Sequence, residues 1–222
     1  MTRKLAKKRK MWDCFIPVTM DLIEEEGFDH VTIRKIADRA GYNSATLYNY
    51  FGDLSHLLFF ASMKLLTPYV EEVKKTSAAN DDLIQNYIDA WELFCTYSFE
   101  QPKLFYAVFI MDLNEHPDTL MKEYYEVYSE ELSDASSELQ RVLYHNDLST
   151  RGFSLLHPIV NQGLITLQEA HSINEMTNFI WKGVLSDVIS NRNTLDKNGA
   201  KKVVMNYANV IVELIAKKHH LR

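Results

Sequence analysis

Apolar residues in this chain recur at three- and four-residue intervals almost from end to end, with very little to interrupt them. Ile16, Met20 and Ile23 run up to Gly27, and Ile33, Ile36, Ala37 and Ala40 repeat the spacing. Tyr87, Trp91, Phe94 and Ser98 do so again, followed by Met121, Tyr125, Tyr128 and Leu132, and then by Val203, Tyr207, Val210, Ile211 and Leu214. That period places one apolar stripe on a helix and cannot sit on a strand. Only 7 glycines and 5 prolines punctuate 222 residues, and neither alternating strands nor a glycine-rich phosphate loop is visible. The expected fold is all-α, about nine helices, with turn- and cap-rich breaks near 78–82, 101–102, 115–117, 133–137, 145–152 and 191–199. Pro17 is awkward inside a helix, so the first ordered helix is expected to start near Asp13 with Pro17 in its first turn. The basic arm ahead of it would then be flexible or a separate kinked turn.

Charge divides the chain unevenly. The whole carries a formal −6, but residues 1–52 hold nine Lys and Arg against seven Asp and Glu, while the remaining 170 hold fifteen against twenty-three. Six of those nine cations (Arg3, Lys4, Lys7, Lys8, Arg9 and Lys10) stand in the first ten residues. A basic end on an acidic body points to nucleic acid at that end. Two cysteines, Cys14 and Cys95, argue against a disulfide framework or a cysteine zinc site, and suit a reduced compartment. No apolar run approaches the ~18–20 residues that a membrane span requires. No apolar signal core follows the basic arm, so a cytoplasmic location is expected.

The most informative stretch is Val31–Phe51, VTIRKIADRAGYNSATLYNYF. Thr32 can cap a short amphipathic helix over Ile33–Ala40, and Gly41 supplies a tight turn. Ser44 can cap a second helix running to Phe51, with Leu47 and Phe51 packing inward. Ser44, Ala45, Thr46, Tyr48, Asn49 and Tyr50 are left near the outer face, small and hydrogen-bonding groups that suit a helix in a major groove about 12 Å wide. A plain helical hairpin would share the spacing, but the upstream cations favour DNA, because phosphate contacts supply most of the affinity.

At these residues the chain resembles the N-terminal domain of the tetracycline-repressor (TetR) family of bacterial regulators. The pattern lies in Glu25–Phe28, Thr32 through Ile36–Ala37, Ala40–Gly41, Thr46–Leu47–Tyr48 and Phe51, and it covers roughly residues 12–60. The resemblance implies an N-terminal three-helix helix-turn-helix domain over 1–52 and a larger C-terminal helical bundle over 53–222 for ligand and dimer. It implies phosphate contacts from Thr32 and Tyr48, and puts Arg34, Ser44, Ala45, Thr46, Asn49 and Tyr50 at or near the groove. Arg34 and Asn49 are the candidates for base readout, since guanidinium and carboxamide groups can pair bidentately with base edges. Two positions depart from the family. Its lysine at the start of the next helix is Leu54 here, and its common turn valine is Tyr42. One missing cation would flatten the salt dependence of binding by about one counterion.

Residues 87–128 contain 11 of the 26 aromatics. Tyr87, Trp91, Phe94, Phe105, Tyr106, Phe109, Tyr124, Tyr125 and Tyr128 could line a ligand cavity or simply fill a core. Buried phenols need hydrogen-bond partners, which a bound molecule can provide, and the effector expected of such a site is small and mostly apolar. The last two long helices, about 172–190 and 199–218, resemble the family's dimer-forming pair. Asn178, Trp181, Val184, Leu185, Val188, Val204, Tyr207, Ile211 and Leu214 are the interface candidates, and Gly183 would allow close approach. Asp112, Glu115, His116 and Asp118 lack calcium-loop spacing, so no metal site is expected, and neither a cofactor nor a catalytic motif is evident. The expected function is a non-enzymatic, ligand-responsive regulator, a repressor by family habit. It would bind a palindromic operator in double-stranded DNA as a homodimer and be released by its effector. The alternative is a DNA-binding dimer of the same fold that acts as an architectural or protein-recruiting factor without an effector.

Overall fold

Trp12, Phe15, Ile16, Thr19 and Leu22 are buried along one side of the first helix, α1, which runs unbroken from Arg3 to Glu26. The computed structural model describes residues 2–76, 82–145, 147–191 and 195–220. Helix α1 does not begin near Asp13 as its proline suggested. It starts ten residues earlier, capped by Thr2, and holds Pro17 in its interior. An interior proline costs about 3 kcal/mol. Apolar burial on both sides of Pro17 offsets that, at about 1.5–3 kcal/mol for each large side chain removed from water.

Among the described residues there are twelve α-helices, two short 3-10 turns and no strand, so the fold is all-α. Contacts divide the chain into two compact units. The first combines residues 1–67 with 103–134. It holds α1, α2 (Ile33–Ala40), α3 (Ser44–Tyr48), α4 (Leu54–Leu65), α7 (Pro102–Phe109), α8 (Pro117–Val127) and the 3-10 turn Ser129–Leu132. Its centre is aromatic: the Trp12 ring lies 4.2 Å from Phe60, 5.7 Å from Phe51 and 6.2 Å from Tyr128, and Tyr124 stacks on Phe60. A ring of polar ties surrounds this cluster. Lys8 pairs with Glu123, Arg9 with Glu130 and Lys64 with Glu131. The Tyr128 hydroxyl donates to Asp13 at 3.0 Å and the Tyr124 hydroxyl to Glu131 at 2.9 Å.

The second unit, residues 68–102 with 135–222, is built on α6 (Leu83–Glu100). Helices α10 (Leu148–Asn161), α11 (Leu167–Ile189) and α12 (Lys197–His220) pack against α6, with α5 (Thr67–Thr76) and α9 (Ser137–Leu143) beside them. Trp181 is fully buried 4.9 Å from Phe94, and its indole N–H donates to Ser98 at 3.0 Å. A reciprocal capping box between Thr166 and Glu169 fixes the start of α11. Helices α10 and α11 meet at Gly152, where a Cβ would lie 2.3 Å from Asn174 Oδ1. Asn174 cannot swing away freely, because its amide donates to the Ser149 carbonyl at 2.7 Å and its oxygen accepts from Asn178 at 3.0 Å. Gly152→Ala is therefore expected to cost about 1–3 kcal/mol by overpacking, read as a lower urea midpoint at unchanged m-value.

Candidate nucleic-acid interface

Thr32 stands in extended backbone and caps α2, its hydroxyl accepting from the Lys35 amide at 3.3 Å. Gly41 ends the helix in the left-handed region at φ 74°, where any other side chain would be strained although nothing lies within 4 Å. The chain then turns through Tyr42, whose ring meets Phe15 of α1 edge-on at 5.2 Å. Helix α3 follows, capped by Asn43 rather than Ser44: Asn43 Oδ1 accepts from the Thr46 amide at 2.9 Å and the Thr46 hydroxyl at 3.0 Å. It is also shorter than expected, ending at Tyr48, with Tyr50 and Phe51 amides both turning back to the Leu47 carbonyl at 2.9 Å.

Leu47 and Phe51 are buried and hold this segment to the aromatic core. Tyr48 is 57% exposed, Ala45 and Asn49 are exposed, and Ser44, Thr46 and Tyr50 are half-buried. The structure thus places Ser44, Ala45, Thr46 and Tyr48 on α3, with Asn49 and Tyr50 in the turn that follows it. Arg34 is the freest cation of α2, its side chain 89% exposed and 3.7 Å from Asp38 at i+4. The other α2 cations are engaged at home. Arg39 makes two 2.6 Å hydrogen bonds to Glu25, and they hold that carboxyl below its ordinary pKa. Lys35 pairs with Glu26 and donates to the His30 carbonyl at 2.9 Å.

The turn into α4 is organised by residues that spacing did not single out. Asp53 caps α4 through the His56 amide, takes the Ser55 hydroxyl, and accepts from the Asn114 amide at 3.0 Å. Burial alone would raise the Asp53 pKa, but these hydrogen bonds bring it below the usual carboxylate value. His56, nearly buried, accepts from the Gly52 amide at Nδ1 and donates from Nε2 to the Leu113 carbonyl at 2.8 Å. That pattern assigns the neutral Nε2–H tautomer. Leu54 follows as the first residue of the helix, so this position offers a phosphate no charge. An Asn-x-x-Thr spacing was the available signal for the Asn43 cap, since Asn ranks at least level with Ser.

The other candidate residues scatter. Tyr87, Trp91 and Phe94 are buried in the second unit, whereas Phe105, Tyr124, Tyr125 and Tyr128 are buried in the first, with Phe109 half-buried and Tyr106 exposed. The phenols have protein partners: Tyr87 donates to Thr177 at 3.3 Å, and Tyr124 and Tyr128 donate to carboxylates. Burial pushes the Tyr87 pKa up to about 12. In the second unit Ile84, Tyr87, Leu156, Ile159, Leu164, Ile165, Ile173 and Val212 line a cavity of about 20 Å³, so Tyr87 alone of the nine aromatics reaches it. Such a space holds about one water.

Of the dimer candidates, Trp181, Leu185 and Val204 have no exposed surface and Asn178 almost none. They face the core because α6 packs on that side of α11 and α12. Val184, Val188 and Ile211 are half-buried, Tyr207 is 51% exposed, and Leu214 lies outside the residues whose side chains are described. Among the described residues, the outward large apolar side chains on these helices are Leu167 at the start of α11, Met176, Phe179 (68% exposed), Tyr207 and Val210, with exposed Gly183 between Phe179 and the end of α11.

Two substitutions separate scaffold from readout. Asn43→Ala should remove about 1 kcal/mol of capping and weaken binding to every DNA sequence alike. Arg34→Ala should relax preference at one base position, by about 1–3 kcal/mol. Affinities for single-base variants of a selected duplex check both.

Among the described residues no helix is long and apolar enough to cross a membrane, and no group of three His, Cys, Asp or Glu could hold a metal ion. Residues 16–59 match the sequence model of the bacterial regulatory proteins of the tetR family. No curated protein matches the sequence. Among solved structures, the chain is similar to Thermus thermophilus FadR, a TetR-family transcriptional repressor in complex with lauroyl-CoA. That match has TM-score 0.58 and 15% identity over 89% of this chain and 92% of that one. A candidate TetR-family transcriptional regulator from Mesorhizobium loti aligns with TM-score 0.54 and 13% identity over 96% and 98%. The fatty acid degradation regulator FadR of Bacillus halodurans aligns with TM-score 0.50 and 16% identity over 92% and 94%. A TetR-family DNA-binding segment therefore spans residues 16–59, and the chain has the fold of the TetR-family transcriptional regulators.

Proposed function

We propose that this protein is a homodimeric transcriptional repressor that binds a palindromic operator and leaves it when a small, mostly apolar effector occupies its second unit. The observation that carries the reading is the surface of α3 and the residues after it, where Tyr48 and Asn49 are exposed while Leu47 and Phe51 are buried. Thr32 and Tyr48 meet phosphates, and Arg34 and Asn49 read base edges, with Ser44, Ala45, Thr46 and Tyr50 alongside. Residues 1–52 supply the DNA-facing groups, and 53–222 the effector site and dimer. The segments 53–67 and 103–134 also brace the head, since they complete its aromatic core.

A palindrome demands twofold symmetry. The outward residues Met176, Phe179, Tyr207 and Val210 offer an apolar face for a second copy. Phe179→Glu should leave a folded monomer by sedimentation, with DNA affinity reduced by at least tenfold. A variant that still sediments as a dimer would move the interface elsewhere.

An acyl-chain effector is favoured by the apolar lining of the α6–α10–α11 cavity and by the lauroyl-CoA bound in the Thermus neighbour. At about 20 Å³ the cavity admits no such chain until those helices part. A ligand that binds the parted state better shifts the dimer towards it, by no more than its differential affinity. The same tight packing favours the second reading, a DNA-binding dimer without an effector. A mobility-shift assay on duplex from upstream of the protein's own gene, with and without lauroyl-CoA, tests both. Sequence-selective binding released by the acyl-CoA supports the first, binding unmoved by any acyl-CoA supports the second, and no selective binding refutes both.

A further inference from the structure

Helix α11 buries three polar side chains in close succession, Asn174, Thr177 and Asn178, where it meets α6 and α10. A buried polar group is costly unless its hydrogen bonds are made, so an apolar stripe would pack there more cheaply. Two of the three are provided for. The Thr177 hydroxyl donates to the Ile173 carbonyl at 2.8 Å and accepts from Tyr87. Asn174 donates to the Ser149 carbonyl at 2.7 Å and accepts from Asn178 at 3.0 Å. Asn178 is provided for on one side only. Its Nδ2 donates to the Asn174 carbonyl at 2.9 Å and to Asn174 Oδ1, while its own Oδ1 has no partner, although the residue is 5% exposed.

Which atom is unpaired follows from the network. A backbone carbonyl only accepts, so Asn174 must turn its Nδ2 to Ser149 and its Oδ1 to Asn178. Asn178 must answer with Nδ2, because reversing either amide would set acceptor against acceptor. The unpaired atom is therefore an acceptor in a neutral group.

This acceptor lies one turn beyond the apolar cavity of the second unit. A Cβ on Gly152 would lie 3.9 Å from Asn178 Nδ2, and Leu156, about 6 Å further along α10, lines the cavity. On α11 the lining residue Ile173 directly precedes Asn174. At its other end the lining reaches Leu164, 44% exposed, just after Gly163 turns the chain in the left-handed region. The α10–α11 seam thus leads from a surface leucine, between apolar walls, to a buried oxygen in need of a donor. No residue lining the cavity carries a charge, so nothing there repays the desolvation of a carboxylate or an ammonium.

We propose that this seam takes an uncharged apolar chain bearing a hydrogen-bond donor, a hydroxyl or a primary amide, seated with its polar end inward on Asn178 Oδ1. The site rests on the effector reading of the second unit and deepens it, by naming the polar group that the effector carries. An unsubstituted acyl tail entering methyl-first would fill the apolar walls and leave the oxygen unpaired. The chain reaches Asn178 only when α10 and α11 part, so the bond that pairs the oxygen also favours the parted state.

The test is calorimetric titration of the full chain, without DNA, with four straight-chain probes: 1-decanol, decanamide, 1-methoxydecane and decanoate. The alcohol and the amide should bind at least about tenfold tighter than the ether, which keeps the chain and lacks the donor, and than the anion. Equal binding of ether and alcohol overturns the polar anchor. Decanoate binding as tightly as decanol overturns the uncharged class, and no binding of any probe overturns the site. Asn178→Leu keeps the volume and removes the acceptor, so it should bring the alcohol-to-ether ratio to about one; an unchanged ratio takes the contact away from Asn178 and overturns the assignment. Leu156→Phe narrows the seam nearer its mouth and should abolish decanol uptake, whereas unchanged uptake would place the alcohol elsewhere and overturn it too. Decanol that binds the chain but leaves a selected protein–DNA complex intact refutes the effector reading and supports the site. Release of DNA by lauroyl-CoA with no decanol binding overturns the site alone.

Discussion

The burial of Trp12 against Phe51 and Phe60 is the contact on which the DNA-facing geometry depends. Helix α3 is five residues long, far too short to be stable alone, since isolated helices below about 12–15 residues are marginal in water. Its position comes from Leu47 and Phe51, which lodge in a core made by α1 and α4 and closed by Tyr124 of α8 and Tyr128 just after it. Removing an aromatic from such a core costs about 3–5 kcal/mol, a large fraction of the 5–15 kcal/mol by which a domain is stable. The groups that would face DNA can therefore be small and polar, because none of them has to hold the helix in place.

The same core gives α7 and α8 a place in the head. This segment is distant in sequence from the helix-turn-helix, yet Asn114 and Leu113 of the α7–α8 loop meet Asp53 and His56, and Glu123 of α8 with Glu130 and Glu131 of the 3-10 turn meet Lys8, Arg9 and Lys64. Most of these are exposed or half-exposed pairs, individually weak at about 0–1 kcal/mol. Their effect is geometric. They fix how α1 and α4 are held, and they leave the outward cations of α1 and the guanidinium of Arg34 exposed.

Much of this was legible in the sequence. The 3.6 period in Ile33–Ala40 and the Gly41 turn marked the helix-turn-helix, because an amphipathic stripe and a positive φ leave local signatures. The length of α1 was not legible. Local rules put the helix start near Asp13 with Pro17 in its first turn, and the contacts that hold the earlier part of the helix come from Phe51, Phe60 and Tyr128, far away in sequence. The aromatics of 87–128 read as one cluster but fall in two units, since helical spacing says which residues share a face and not what that face meets. For the same reason Trp181 and Leu185 looked suited to an interface although α6 covers them, while Phe179, one step around the helix, remained outside.

Selection of binding sites from a random duplex library, followed by hydroxyl-radical footprinting of the bound product, tests the central claim most directly. The account predicts a palindrome whose half-sites lie about one helical turn apart or a multiple of it, protected on one face of the duplex. It also predicts that exchanging Arg34 and Asn49 changes the bases recovered. Recovery of no preferred sequence, or a preference indifferent to both residues, would contradict it.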